Sequence, residues 1–345
     1  MTWRKEAVIQ DDVVFFEYIS HESIKDNPYI FVWDLDKTYL DTHFESLSGL
    51  YRTIVEKAFQ KKNVPGTRSL VRALTIRGES YFPIYFVSAS PPQMQERIIE
   101  KLHYDGIKPY GLFLKDNLKN LKPGRLSRLG HQVGFKLQAL LTLRAKFPFP
   151  IQQVLWGDDS ESDAVIYSLY SDICARRIPE KPLRKILSHY HVRGVQVASI
   201  LELTEKIPKD DLVKRVYINL ATDTDPDYYN KFGYRMLATY NSFQVSLDLY
   251  QTSVLNDKQL QQITLDLMQN YGFSIEELEV GYLDLVSRNV LHQETVDRLS
   301  ALDAPLQFTL PKDTKAISTQ DYERLYQDSA KEWVPEFIDY LHDFR

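Results

Sequence analysis

The chain has 345 residues, 43% hydrophobic and 26% charged, which excludes a disordered tail, and no run of about 18 apolar residues marks a membrane span. A lone cysteine, Cys174, excludes an internal disulfide and a thiolate zinc cluster. The net charge of −5 divides into +5 over residues 1–204 and −10 over 205–345, so the first part is the better host for an anionic ligand. Two domains are expected, 1–204 and 205–345, in a cytoplasmic protein with no leader segment and no nucleic-acid partner.

Taken in chain order, Ile30-Phe31-Val32-Trp33 is a continuous apolar run that stops at Asp34 and Asp36, and Ile84-Tyr85-Phe86-Val87 is another that stops at Ser88. Both read as buried strands. Ser90 before Pro91-Pro92, with Gln93 three places on, predicts a capped helix carrying Met94, Ile98 and Leu102 on one face. Leu137, Leu140 and Leu141 predict a helix over 135–147, stopped by Pro148 and Pro150 before a third strand, Val154-Leu155-Trp156, which ends at Gly157-Asp158-Asp159. A weaker apolar run at Ile173-Cys174-Ala175 is a candidate fourth strand.

This alternation predicts an α/β domain around a parallel sheet, Rossmann-like in class. Beyond about 205 the pattern turns helical, over Asp227–Gln251, Asp257–Gln269, Ser274–Ser287 and Gln293–Leu302. Asp225-Pro226-Asp227 and the Ser274/Glu277 capping box mark helix starts, and 303–320 reads as a loop before a last helix.

Three strand ends thus deliver polar groups: Asp34 and Asp36, then Ser88, then Asp158, Asp159 and Asp163. In a parallel sheet ligands bind at the carboxyl ends of the strands, so these distant groups are expected to converge. Several carboxylates in one pocket repel unless a cation lies among them, and oxygen-only donors select a hard ion, for which Mg2+ is the usual choice.

Asp34-x-Asp36-x-Thr38, an apolar strand ending in Ser88, Lys136, and Gly157-Asp158-x-x-x-x-Asp163 resemble, in order, the four motifs of haloacid dehalogenase-like phosphatases. Phe86-Val87-Ser88-Ala89-Ser90-Pro91 and the stretch from Gly157 to Ile166-Tyr167 are most similar to the App1-type phosphatidate phosphatase catalytic domain. Asp159 stands where that family usually has serine, Ser160 for glycine, Ala164 for proline and Lys37 for a second acid. The resemblance implies Asp34 as nucleophile, Asp36 as general acid and base, and Ser88 and Lys136 on the phosphoryl oxygens. It further implies Mg2+ held by Asp34, Asp158 and the Asp36 carbonyl, with Asp159 or Asp163 on the metal or its waters.

Ser90 competes with Ser88 for the phosphate, and Lys115, Lys119 and Lys122 compete with Lys136. Residues 104–136 carry a net +5 with Tyr110, Leu112, Phe113 and Leu114 among them, which reads either as a solvated loop or as an anionic membrane-surface patch. Only 49 residues separate Thr38 from Ser88 and 47 separate Ser88 from Lys136, too few for a large lid. A small helical lid over 44–59 and 69–77, or an open site, is expected.

The expected function is a Mg2+-dependent phosphohydrolase with an aspartyl-phosphate intermediate, acting on a phosphorylated substrate such as phosphatidate or a related phospholipid at a membrane surface. A phosphoprotein phosphatase with an open site, and a non-catalytic binding protein on the same fold, are the alternatives.

Overall fold

The computed structural model describes residues 6–24, 27–41, 62–75, 82–116, 128–160, 162–220, 224–311, 314–332 and 338–342. Strands β1 (Glu6–Gln10) and β2 (Val13–Glu17) form an antiparallel hairpin whose turn holds Asp11 at φ 55°, a left-handed conformation that Asp tolerates better than most residues. The apolar runs become β3 (Tyr29–Asp34) and β4 (Ile84–Ser88), with helix α1 (Thr67–Leu74) between them in sequence. Then follow α2 (Gln95–Tyr104), β5 (Gly111–Lys115), α3 (Arg128–Ala145) and β6 (Gln152–Asp158). Helices α4 (Asp163–Ala175), α5 (Glu180–His189) and α6 (Gly194–Lys206) lead to β7 (Val213–Asn219) and β8 (Met236–Thr239).

These strands make one eight-stranded sheet in the order β1-β2-β5-β4-β3-β6-β7-β8. It is mixed but mostly parallel, because β5, β4, β3, β6 and β7 run in one direction, while β2 is antiparallel both to β5 and to β1. The first motif strand, β3, is therefore central, with β4 on one side and β6 on the other. Its register sets Trp33 beside Trp156, and the two indoles stack at 4.4 Å and 10° beneath the carboxyl edge of the sheet. Offset aromatic stacks of this kind add to area burial and hold neighbouring strands in register. Helix α3 packs on β2 and beside α4 and α6, while α4 covers β6 and β7.

Several expectations change. The chain divides into two compact units, Met1–Lys62 with Phe82–Leu237 and Val334–Arg345, and Asn63–Tyr81 with Ala238–Trp333, instead of breaking after residue 204. The first unit extends past 204 because Val213–Asn219 extends the parallel ladder, a strand whose apolar run is cut to three residues by Lys214-Arg215. Ile173-Cys174-Ala175 closes α4 and is no strand. The helix expected over Asp227–Gln251 is three elements: a 3-10 turn at Pro226–Phe232, capped by Asp225 and ended by Gly233 at φ 84°, then β8, then α7 (Ser242–Gln251). Ser90 caps nothing; Pro92–Met94 forms a 3-10 turn before α2, and the Ser90 carbonyl accepts the Lys115 N–H.

The second unit is helical among the described residues: α1 with α7, α8 (Asp257–Tyr271), α9 (Ile275–Ser287), α10 (Gln293–Ser300) and α11 (Thr319–Glu332). Capping boxes start α8 at Asn256 and α9 at Ser274 as their spacing predicts. Helix α1 packs on α7 and α8, with Gly66 at φ 75° so close to Leu267 that a Cβ there would lie 2.9 Å from its Cδ2. Part of the expected lid region, α1, thus belongs to the helical unit, while 44–59 and 76–77 lie outside the described residues.

In the first unit a polar network ties α4 to the segment before β7 and to residues 338–342. Asp211 accepts from Ser171 Oγ (3.0 Å), Arg235 Nη1 (2.7 Å) and Arg177 Nη2, Arg177 also donates to Asp172, and the Tyr340 hydroxyl donates to Asp172. Removing one partner of such a network strands the remaining charges. Asp211→Ala is expected to cost about 2–3 kcal/mol in urea unfolding, less than for a wholly buried pair because Arg177 is partly exposed.

Candidate active site

The central strand order brings three polar strand ends side by side. Asp34 ends β3, and its parallel neighbours end at Ser88 and at Asp158. Asp163 opens α4 five residues after Asp158, and Lys136 projects from within α3, not from its start as expected, because that helix begins at Arg128. All five side chains are buried, with Ser88, Asp158 and Asp163 wholly removed from solvent.

Among the described residues, carboxylate oxygens of Asp34, Asp158 and Asp163 lie within 4.8 Å of one another, a spacing that suits a metal ion. Lys136 Nζ lies between two of them, 3.0 Å from Asp34 Oδ1 and 2.5 Å from Asp163 Oδ1. Thr38 Oγ1 stands 3.5 Å from both Asp34 Oδ2 and Asp158 Oδ2, at the outer limit for a hydrogen bond. Asp158 is oriented on its other side by the Ser160 N–H at 2.6 Å and by the Ser160 hydroxyl.

Asp163 is oriented twice, by Lys136 and by the Asp158 N–H, which donates to Oδ2 at 3.2 Å. This close seating explains Gly157. A Cβ at that position would fall 2.3 Å from Asp163 Oδ2 and 2.5 Å from its Cβ, so only glycine lets the carboxylate lie against the strand end. Below the set, the Tyr167 hydroxyl donates to the Trp156 carbonyl at 2.9 Å. Burial pushes that phenol well above its ordinary range, and the carboxylate of Asp163 pushes it further the same way, so it stays a neutral donor.

A second contact joins the first two motifs. Ser88 Oγ donates to Asp36 Oδ2 at 3.0 Å and accepts the Ser90 N–H at 3.1 Å. Ser90 therefore supports Ser88 through its backbone. Asp36 and Asp159 are half-buried and stand outside the set of three carboxylates; the Asp159 N–H donates to the Asn219 carbonyl at 3.1 Å.

Of the two rival lysines among the described residues, Lys115 is buried at the end of β5 with its ammonium 5.8 Å from the Phe135 ring centroid, and Lys136 reaches the carboxylates. Lys119 and Lys122 lie outside the described residues, as does all of 117–127. Tyr110, Leu112, Phe113 and Leu114 are buried in and beside β5, so they form core and offer no apolar membrane patch.

The sequence reading missed Asn219, which ends β7 at the same sheet edge and points its amide at the Lys37 carbonyl, 3.4 Å away. Its signal was present: Val216-Tyr217-Ile218 before a polar residue repeats the pattern of the other three strand ends.

The donor set can be tested against a metal by charge. Three ionised carboxylates beside one ammonium leave a formal −2 in a water-poor pocket, a cost that a divalent cation offsets. All donors are oxygens, which suits a hard ion.

Residues 29–185 match the family model described as phosphatidate phosphatase APP1, catalytic domain. The match opens on the first residue of β3, closes within α5, and so contains Asp34, Asp36, Ser88, Lys136, Asp158, Asp159 and Asp163. Searches of curated proteins and of solved structures find no match.

Gly157→Ala is expected to destabilise the chain by about 1–3 kcal/mol, as forced overpacking does, and to weaken divalent-ion binding by displacing Asp163. Thermal unfolding with and without Mg2+ checks both: the stabilisation by the ion should shrink in the variant.

Proposed function

We propose that this chain is a Mg2+-dependent phosphohydrolase of the haloacid dehalogenase-like type that works through an aspartyl-phosphate, with phosphatidate or a related phospholipid as substrate. The observation that carries the reading is Lys136 Nζ held 3.0 Å from Asp34 Oδ1 inside a buried carboxylate set, at the same strand edge as the Ser88–Asp36 pair. The strand order β5-β4-β3-β6-β7, with the Asp34 strand central, supports the fold assignment, since open parallel sheets bind ligands where the order reverses. The matched family supports the phosphatidate substrate.

In this reading the Asp34 carboxylate attacks phosphorus. The Oδ–P bond forms as the P–O bond to the alcohol breaks, and Asp36 gives its proton to the departing oxygen. Asp36 then takes a proton from water as that water's oxygen attacks phosphorus, releasing inorganic phosphate and the Asp34 carboxylate. Bound between Asp34 and Asp158, Mg2+ would screen the nucleophile from the phosphoryl charge. Asp163 holds Lys136 and the Asp158 backbone in place, and Lys136 and Ser88 neutralise the phosphoryl oxygens as charge spreads over them. Asp159, half-buried next to Asp158, would act on the metal or its waters.

A partly exposed Asp36 beside Ser88 leaves the acid–base group reachable by a substrate in a lipid surface, and no helix among the described residues is long and apolar enough to cross a membrane. The same proposal has a cytoplasmic enzyme that meets its phospholipid at a membrane surface.

Asp34→Asn should lower Mg2+-dependent phosphate release from phosphatidate in mixed micelles by at least about a thousandfold; retained turnover would mean that another residue is the nucleophile. Removal of divalent ions with EDTA should abolish turnover and added Mg2+ restore it. A parallel panel of phosphoserine peptides decides the substrate class: faster turnover of peptides than of phosphatidate would favour a phosphoprotein phosphatase.

A further inference from the structure

The loop that follows Asp34 carries two of the site's groups, Asp36 and Thr38, yet it lies beyond the end of β3. Its backbone is a tight turn. The Tyr39 and Leu40 N–H groups both donate to the Leu35 carbonyl, at 3.2 and 2.8 Å, and Lys37 takes φ 59°, a conformation that side chains other than glycine, Asn and Asp seldom adopt. Such a turn needs an outside hold to keep one geometry.

That hold is Tyr39, the residue next to Thr38. Its side chain leaves the sheet edge, is wholly buried, and packs edge-on against Trp33 and Phe86, at ring-centroid distances of 6.4 and 5.5 Å. Its hydroxyl donates to Asp105 Oδ2 at 2.6 Å, just past the end of α2. Asp105 also takes Lys101 Nζ at 2.6 and 2.5 Å, one turn earlier on α2, and both charges are buried.

A buried ion pair is not in itself a source of stability, since desolvation of both charges offsets their attraction. A wholly apolar side chain at 39 would fill the same space. What the pair offers is a fixed acceptor at one point, and the tyrosine hydroxyl reaches it from the loop.

We propose that Tyr39, Asp105 and Lys101 form a positioning network that clamps the loop 35–40 to helix α2 and so sets Asp36 and Thr38 against Ser88, Asp34 and Asp158. Helix α2 is reached from the Ser88 strand through the short 3-10 turn at Pro92–Met94, so the clamp ties the first motif to the body that carries the second. None of the three residues touches substrate. Their role in turnover rests on the phosphohydrolase reading above, whereas the clamp itself rests only on the contacts.

Tyr39→Phe tests it, because the variant keeps the ring and loses one hydroxyl. Two measurements are made well below the melting temperature of the full chain. Hydrogen exchange of the amides in 35–40 should accelerate at least about tenfold while those of β3 and α2 keep their rates. Phosphatidate turnover should lose about ten- to a hundredfold in kcat with KM little changed, as a small misplacement of reacting groups does. Unchanged exchange in the loop, or a uniform acceleration across the first unit, would overturn the clamp. Accelerated exchange with wild-type kcat would overturn its positioning role. Should the wild-type chain hydrolyse no phosphate ester, the functional reading fails, and exchange alone decides whether Tyr39 holds the loop.

Discussion

Three carboxylates buried within one ion's reach of each other are the condition around which the first unit is arranged. Asp34, Asp158 and Asp163 cannot share a dry pocket as anions without a compensating charge, and Lys136 provides one fixed ammonium in contact with two of them. Much else follows from holding that lysine and those acids in place. Helix α3 must pass over the sheet with Lys136 mid-way along it, α4 must begin directly after β6, and position 157 must be glycine so that Asp163 can lie on the strand end.

The parallel sheet makes this convergence possible at low cost in chain. Side-by-side strands running the same way end at one edge, so each needs only a polar residue at its terminus to contribute to a common site. The interior beneath is aromatic and dry: Trp33 and Trp156 stack across adjacent strands, with Phe31 and Tyr217 against the same indole, Trp156. A packed floor of this kind keeps water away from the acids and gives the strand ends little freedom. The hairpin β1–β2 and the strands β7 and β8 then extend the sheet on either side, and Asn219 at the end of β7 reaches the backbone of the Asp34–Thr38 loop.

The site was more legible than the fold around it. Asp34, Ser88, Asp158 and Asp163 stand at element termini that can be read locally, because each follows a continuous apolar run or a Gly-Asp turn. Lys136 was legible only through its place between motifs; nothing local separates it from Lys115, and three-dimensional reach distinguishes them. Leu112, Phe113 and Leu114 illustrate the opposite case. As a string beside lysines they suit a membrane patch, but β5 pairs with both β2 and β4, and that pairing buries all three. The stretch 226–251 carries helical spacing that a single Gly233 and a short edge strand interrupt, since tertiary pairing overrides weak local preference.

By itself the sequence determined which chemistry the chain can carry: oxygen donors at strand ends, several competing lysine ammoniums, and no thiolate alternative, because residue type and position relative to apolar runs are local properties. Only the tertiary structure decided which of those groups meet. It brought Asp34, Asp158 and Asp163 together, left Asp159 and the Asp36 carboxylate outside that set, and joined Asn63–Tyr81 to the C-terminal helices. It also ran Tyr39 from the loop after β3 to Asp105. These are contacts between residues far apart in the chain, set by strand order and helix packing, and no local pattern encodes them.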